Sequence, residues 1–418
     1  MKKQIALFLI LTGIFAGVIS CSKDEHTSTP PTPIFTLNFT DKFIPAQIPV
    51  IVFLSRPDGS TIMDTTCTSN ITYVFYPPSG KYIPEKFIVT IVHSEIFWHN
   101  LMAHINSYTN VSKGSEWTLK GTKPDTIGKA TVSLTNLPDL AGPVLYSTSG
   151  YSNETSNTSG VSAILYQSPD DLYVKINTPD GHFYKLTEIV RNGNFSVDMS
   201  DPDQTATKSV SFPFSAENYE VQLYGYVNSD YDSPLPVMAD HVMSDGIPVS
   251  SASLHYPASY FSGFHTKMML QETFTSSETW FCQTEGVIPD QFAKIDAGII
   301  SMLPQTGSVT IQTNGTFNMT GAHWQFVDQS LLYYEWQIYA SDTTSTFVIP
   351  EIPPDFKKMF PTISRDSLIF QYAELTDFAT VNSYEELIGY LFNPSYPQQM
   401  DRFNASVIRK NFYPWNIK

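Results

Sequence analysis

The sequence predicts an all-β protein with two or three sandwich-like antiparallel domains and one or two short helices. Aromatic residues make up 14% of the chain, and 29 prolines interrupt it. This composition favours strands joined by turns, because aromatic and β-branched side chains fit a pleated sheet. Short runs that alternate apolar and polar residues recur between turn residues such as Pro-Asp-Gly and Asn-Gly. Such alternation is the pattern of half-buried strands.

The first residues predict a secretory signal rather than part of the fold. Two lysines precede an apolar run over residues 5–19, and a small serine precedes Cys21. The run of about 15 residues is shorter than the roughly 20 that a membrane-spanning helix needs. No later apolar run is as long, so we expect no transmembrane helix. Residues 1–20 are assigned to the signal, and residues 21–34, rich in Pro, Ser and Thr, to a tether.

Val18-Ile19-Ser20-Cys21 resembles the lipobox of bacterial lipoproteins, in which the cysteine carries acyl chains after the signal is cut away. The resemblance implies a lipid anchor on Cys21, and the alternative is an ordinary secretory signal with a chance cysteine. The next residues, Lys23-Asp24-Glu25, resemble the export signal of Bacteroidota-type surface lipoproteins. The two resemblances imply an outer-membrane protein that faces the cell exterior, with a periplasm-facing anchor as the alternative. Two or three acyl chains would make that anchor stable.

The net charge of −16 argues against partners that need a basic surface. Nucleic acid and anionic lipid headgroups both attract basic proteins. The sequence therefore predicts no nucleic-acid partner, and contact with the membrane through the lipid anchor only. Two further cysteines remain, Cys67 and Cys282. An oxidising compartment allows a disulfide between them, but two buried free thiols are the favoured interpretation.

Turn residues divide the mature chain into three predicted β-rich domains, over 35–125, 126–245 and 246–418. The first resembles the transthyretin-like sandwich of carboxypeptidase regulatory-like and fimbrillin-type domains. The resemblance rests on an apolar strand, the turn Pro57-Asp58-Gly59 and a return strand near residues 73–76. It implies a fold and no activity.

Local signals predict the individual elements. Apolar residues four apart predict a helix over residues 96–105, and four strand-like runs between residues 162 and 200 predict a meander. Asn314-Gly315 lies between two alternating runs and predicts a hairpin, because both turn residues then need positive φ. Ser383 followed by Glu386 forms a capping box and predicts a short helix.

No catalytic motif of a serine hydrolase, a zinc protease, a phosphate loop or a dinucleotide site occurs, so we assign no catalytic residue and no cofactor. The densest histidine cluster comprises His93, Glu95, His99 and His104. Its spacing does not predict a metal site. The aspartates of "DMSDPDQ" and "NSDYDS" do not match a calcium loop and are common turn residues. We therefore assign no metal ligand.

Two kinds of surface site are predicted from side-chain chemistry. Aromatic rings that could stack on sugars are Trp324, Tyr333, Tyr334 and Trp336. One face of these strands must be core, so this prediction competes with packing. Triplets that resemble the O-glycosylation motif of secreted Bacteroidota-type proteins place candidate glycosylation sites at Thr65, Thr126, Thr343 and Ser367.

The anchor, the tether, the β modules and the missing catalytic motif predict a lipid-anchored cell-surface protein that binds or scaffolds, like an adhesin, with an unknown protein or glycan partner. The alternative is a glycan-binding lipoprotein of a polysaccharide-uptake system. A surface hydrolase is the second alternative, because many hydrolases use two carboxylates that no linear motif marks.

Overall fold

A computed structural model describes residues 32–40, 43–44, 49–97, 100–120, 126–227, 234–243, 247–273, 275–276, 278–327, 333–341, 344–379, 381–393 and 407–413. The described residues are mostly β, with two α-helices, and this confirms the predicted all-β, sandwich-like class. The signal, the lipobox, Cys21 and Lys23-Asp24-Glu25 lie outside them. No helix in the described ranges is long and apolar enough to cross a membrane.

The main element is a twelve-stranded sheet, called the long sheet below. Its strands, in spatial order, are β18 (Leu235–Met243), β17 (Asn218–Tyr226), β20 (Gly263–Gln271), β21 (Glu278–Gly286), β28 (Val407–Phe412), β27 (Ile369–Phe378), β24 (Met319–Val327), β25 (Tyr333–Ser341), β6 (Asn100–Ser112), β5 (Lys86–Phe97), β2 (Val50–Ser55) and β3 (Thr61–Cys67). Neighbours are antiparallel except β25 and β6, which are parallel. All three predicted domains, 35–125, 126–245 and 246–418, thus contribute strands to one sheet.

Two smaller sheets between residues 128 and 204 face each other and form what we call the sandwich. One contains β10 (Tyr151–Thr155), β9 (Val144–Thr148), β12 (Asp170–Thr178), β13 (Gly181–Ile189) and β15 (Asp203–Gln204). The other contains β11 (Val161–Leu165), β8 (Gly128–Thr135) and β14 (Asn194–Asp198). Val132, Tyr146 and Val174 are buried in the core between them. The outer side of the five-stranded sheet, through Leu145 and Tyr173, packs on the core of the long sheet.

The four strand-like runs of this region form strands, but they are not one meander. The hairpin of β12 and β13 turns at Pro179-Asp180, where Thr178 pairs with Gly181, as the turn residues predicted. The flanking strands β11 and β14 lie in the opposite sheet. Alternation of apolar and polar residues identifies each strand. It does not identify the sheet that the strand joins, which depends on the core that its apolar side chains cover.

Three small sheets complete the β structure. They contain β4 (Thr72–Phe75), β1 (Phe35–Thr40) and β7 (Ser115–Lys120); β16 (Ala206–Ala216) and β19 (Val249–Tyr256); and β22 (Ala297–Gln305), β23 (Ser308–Gly315) and β26 (Thr346–Val348). The sheet of β1 encloses a second core with β2 and β5, which includes Phe35, Phe87 and Trp117. The helices are α1 (Pro354–Met359) and α2 (Tyr384–Phe392), with a 3₁₀ turn at Arg365–Ser367. The Ser383 hydroxyl accepts the Glu386 N–H at 3.1 Å and begins α2, which confirms the predicted helix.

The predicted helix over residues 96–105 is wrong. Residues 86–97 and 100–112 form the paired strands β5 and β6, with His93 opposite His104. Apolar residues four apart satisfy the two-residue period of a strand as well as the 3.6-residue period of a helix. The segment forms strands because β5 and β6 pair with the neighbouring strands β2 and β25.

The predicted hairpin at Asn314-Gly315 is also wrong. β23 runs through both residues and pairs with β22 across a turn at Thr306-Gly307. Gly315 has φ +85°, as the prediction required, but it lies where the chain leaves β23 for β24 in the long sheet. A Cβ at this position would lie 2.0 Å from the Asp296 carbonyl oxygen. The glycine therefore allows the close backbone approach that is needed where the chain passes from one sheet to the other.

Candidate functional site

Strand β25 separates the two faces of the long sheet. Tyr334, Trp336 and Ile338 point into the core, and the residues between them are half-buried on the opposite face. We call that opposite face the polar face, because Glu335 and Gln337 lie on it. Alternation along one strand thus places aromatic packing on one side and ionisable groups on the other.

Five ionisable side chains on the polar face form what we call the histidine–glutamate row: His93, His104, Glu335, His323 and Glu374. β6 lies parallel to β25, so that His104 is opposite Glu335, and His104 Nδ1 is 3.4 Å from Glu335 Oε2. On the next strand, the His93 ring stacks on the His104 ring with 5.0 Å between centroids. The row therefore begins with two stacked imidazoles and a carboxylate, on three adjacent strands.

Glu335 is held in its ionised form. The hydrogen bond from His104 lowers the pKa of Glu335 most, and the Gln337 amide, which donates to Oε1 at 2.8 Å, lowers it further. Burial raises the pKa of Tyr333, and the charge of Glu335 adds to that rise. The His104 and Glu335 side chains are each 24% exposed. A fixed negative charge with a histidine partner is thus within reach of solvent.

The inner end of the row is buried. His323 Nε2 lies 3.2 Å from Glu374 Oε2, and these side chains are only 3% and 2% exposed. The His323 ring also stacks on Tyr372 at 4.1 Å. Gly321 lies opposite Glu374, and a Cβ there would be 2.6 Å from Glu374 Cγ. Gly321 therefore leaves room for the Glu374 side chain. The cost of burying this carboxylate is offset by its pairing with His323.

The two glutamates of the row lie on strands that are not neighbours. Glu335 and Glu374 lie on β25 and β27, with β24 between them, and their partners on β24 are Gln325 and Gly321. Two strand spacings and four residues along the strand place their Cα atoms ~16 Å apart. Nowhere in the described ranges do three or more His, Cys, Asp or Glu side chains gather as metal ligands would.

The predicted sugar-stacking residues divide between the two faces. Trp324, Tyr334 and Trp336 are buried in the core. Trp324 and Trp336 are cross-strand partners, and the Trp336 Nε1–H donates to Ser107 Oγ at 2.9 Å. These rings are packing residues, so they do not form the expected exposed platform. Only Tyr333, of the four, lies half-buried on the polar face beside Glu335.

The predicted glycosylation residues differ in accessibility. Thr126 is exposed, and Thr65 is half-buried on β3. The Ser367 hydroxyl donates to the Ser364 carbonyl at 2.8 Å and accepts the Ser364 N–H at 3.0 Å. It therefore caps the 3₁₀ turn. Thr343 lies outside the described residues.

Other candidate groups serve the fold. Asp198 accepts hydrogen bonds from Asn136 and the Ser200 N–H, both at 2.9 Å, as a turn aspartate does. His99, Asp230 and Asp232 lie outside the described residues. Cys67 and Cys282 are buried free thiols, and burial raises the pKa of each to about 12.

Sequence reasoning did not single out His323 and Glu374. Alternation in "GAHWQF" places His323 on the face opposite Trp324, so the side of the sheet was predictable. Its pairing with Glu374 depends on how β24 and β27 align, and no local pattern states that register.

Comparison of the chain with protein-family models finds no match, and comparison with curated proteins finds no similar sequence.

Proposed function

We propose that the protein is a lipid-anchored binding protein of the outer membrane, attached through Cys21 and facing the cell exterior. The lipobox-like stretch Val18-Ile19-Ser20-Cys21 and the following Lys23-Asp24-Glu25 support the anchor and its direction. The acyl chains would hold the chain at the membrane, and residues 21–34 would leave the folded part free to meet external ligands.

The partly exposed end of the histidine–glutamate row carries the proposal of binding. An ionised carboxylate, two imidazoles and a tyrosine lie together at Glu335, His93, His104 and Tyr333. Such groups give hydrogen-bond donors, acceptors and a ring face, which suit the hydroxyl groups of a neutral glycan. The net charge of −16 disfavours a polyanionic ligand. A glycan is therefore the ligand class that we favour.

Binding is tested with the mature protein carrying Cys21→Ser, on a glycan array. We expect a neutral glycan to bind and Glu335→Gln to weaken binding about 10-fold or more, because hydrogen bonds to charged groups contribute about 1.5–3 kcal/mol. Glu154→Gln, at an exposed position of the sandwich, is the matched control and should bind like the wild type. If no glycan binds, or if Glu335→Gln binds equally well, the row is not the site. A protein recovered by cross-linking on cells would then favour the adhesin-like function.

The anchor is tested separately, by growing cells with labelled palmitate. The wild type should take up label and Cys21→Ala should not. Equal labelling of both would reject the lipid anchor.

A further inference from the structure

Exposed apolar side chains concentrate in one short segment near the start of the described chain. Ile71, Val74, Tyr76 and Tyr82 are 55%, 42%, 46% and 76% exposed. We call these four side chains the 71–82 surface. Elsewhere among the described residues, the large apolar side chains that are exposed are all Val, Ile or Leu. The two strongly exposed tyrosines, Tyr76 and Tyr82, therefore both lie in this segment. Val74, on β4, and Tyr76 fall on the same side of this strand, and adjoining exposed apolar side chains mark a place of contact.

Tyr76, one member of the 71–82 surface, lies at the point where the tether meets the fold. The Ile34 N–H donates to the Phe75 carbonyl at 2.8 Å, and the Gly114 N–H donates to the Ile34 carbonyl at 2.7 Å. Tyr76 follows Phe75 directly, so it lies beside the last residues of the tether. On β4, Val74 pairs with Thr36 and shares the outer side of this small sheet with Tyr76.

The anchor keeps this surface near the bilayer. Eleven residue steps separate Cys21 from Thr32, the first described residue. Even fully extended, that length reaches only about 40 Å. A tethered group meets its surface at a high effective concentration, so a contact of modest strength is enough.

From these observations we infer that the 71–82 surface rests on the lipid surface to which the chain is anchored. Tyrosine suits this contact, because its ring enters the interface while its hydroxyl stays with the headgroups. Segment 71–82 contains Lys81 and no acidic residue, although the whole chain is acidic. On the same side of the small sheet, Glu116 is in register with Val74 but two strands away. The segment itself thus carries no charge that repels anionic lipids. The inference rests on the proposed anchor. It adds a direct contact between protein side chains and the lipid surface, whereas the net charge of the whole chain predicted contact through the acyl chains only.

The test uses the lipidated full chain in vesicles of phosphatidylethanolamine and phosphatidylglycerol. A fluorescent label is placed on Ser79→Cys, an exposed position within the segment. Cys67 and Cys282 are buried, and a lipidated Cys21 has no free thiol, so the label is specific. Lipids with a nitroxide headgroup should quench this label several-fold more than the same label on Ser152→Cys, an exposed position of the sandwich.

Two sets of variants separate the contact from the anchor. Tyr76→Ser with Tyr82→Ser should abolish the extra quenching, whereas Val287→Ser, which removes an apolar side chain that is 82% exposed elsewhere, should retain it. Equal quenching at residues 79 and 152 in vesicle-bound protein overturns the inference and leaves the anchor standing. Chains that carry no palmitate and do not associate with vesicles overturn both. Quenching that survives loss of both tyrosines also overturns the inference.

Discussion

The sandwich and the long sheet are built from similar strands but differ in where those strands come from. Every strand of the sandwich lies between residues 128 and 204, whereas the long sheet takes strands from residue 50 to residue 412. Trp336 and Ser107, which hydrogen-bond inside the long sheet, are 229 residues apart. Pairings in the sandwich thus stay within residues 128–204, whereas several in the long sheet, such as β6 with β25, join distant parts of the chain. We expect the sandwich to unfold as a separate unit and the long sheet to lose stability as a whole.

The largest effect is expected from Trp336→Ala. Trp336 is fully buried and packs against Phe53 and Phe356, so its removal should cost about 3–5 kcal/mol of unfolding free energy. Hydrogen exchange should rise along the long sheet, including strands near the N-terminus. Ile176→Ala, in the core of the sandwich, is the matched change and should raise exchange between residues 128 and 204 only. Uniform faster exchange in both variants would show that the two regions form one cooperative unit.

A smaller effect is expected from Gly315→Ala. The new Cβ would meet the Asp296 carbonyl at a backbone φ of +85°, so we expect a loss of about 3 kcal/mol. Gly160→Ala, in the sandwich, has φ +69° and no atom within 4 Å of the new Cβ. It should cost about 1 kcal/mol, from backbone conformation alone. Urea unfolding measures both changes, and similar losses would mean that the clash at Gly315 is relieved by movement of the corner.

Acid should weaken the contact between the sandwich and the neighbouring two-stranded sheet of β16 and β19. His182 of the sandwich stacks on His255 of β19 with 3.6 Å between centroids, and Lys175 is nearby. Burial lowers the pKa of His255 to about 4, with further lowering by His182 and Lys175, and burial and Lys175 lower the pKa of His182. Unfolded histidine binds its proton near pH ~6.5. Between that pH and about 4, the unfolded chain therefore binds more protons, and stability falls as the pH falls.

His182→Gln with His255→Gln should reduce this loss of stability. Urea unfolding of wild type and double variant at pH 7 and pH 4.5 measures the difference, and the wild type serves as the control for carboxylates that titrate in both proteins. Asn177 Oδ1 and Thr207 Oγ1, which hydrogen-bond His182 and His255, remain in place. An unchanged pH dependence would mean that this histidine pair does not make the contact between the sandwich and β19 sensitive to acid.

The smallest effect is expected from thiol reagents. Cys67 and Cys282 are buried on the long sheet, and a pKa of about 12 leaves almost no thiolate at neutral pH. In the mature protein with Cys21→Ser, neither should react until the chain unfolds. Two thiols should then appear in unfolded, unreduced protein. Fewer than two would indicate a disulfide, and fast reaction in the native state would indicate that the long sheet opens locally.

The two regions also differ in how much the sequence predicts. Pro179-Asp180 fixed the β12–β13 hairpin, because turn chemistry acts between adjacent residues, and Ser383 likewise marked the start of α2. The parallel pairing of β6 with β25 has no local signal. At the candidate site, "LLYYEWQIYA" predicted which residues share a face of β25, but not which face is core. His104 and Glu335 meet only through that long-range pairing, so their contact was not predictable from spacing.

The pairing of β6 with β25 also bears on the order in which the chain can fold. A chain that crosses a membrane from its N-terminus delivers β2, β3, β5 and β6 long before β25. During that interval the edge of β6 lacks its native neighbour, and an unpaired edge attracts other strands. Distant contacts also form slowly, because a large loop must close first. For a chain exported as proposed, we therefore expect folding to benefit from protection of the β6 edge, as a chaperone gives, until β25 arrives.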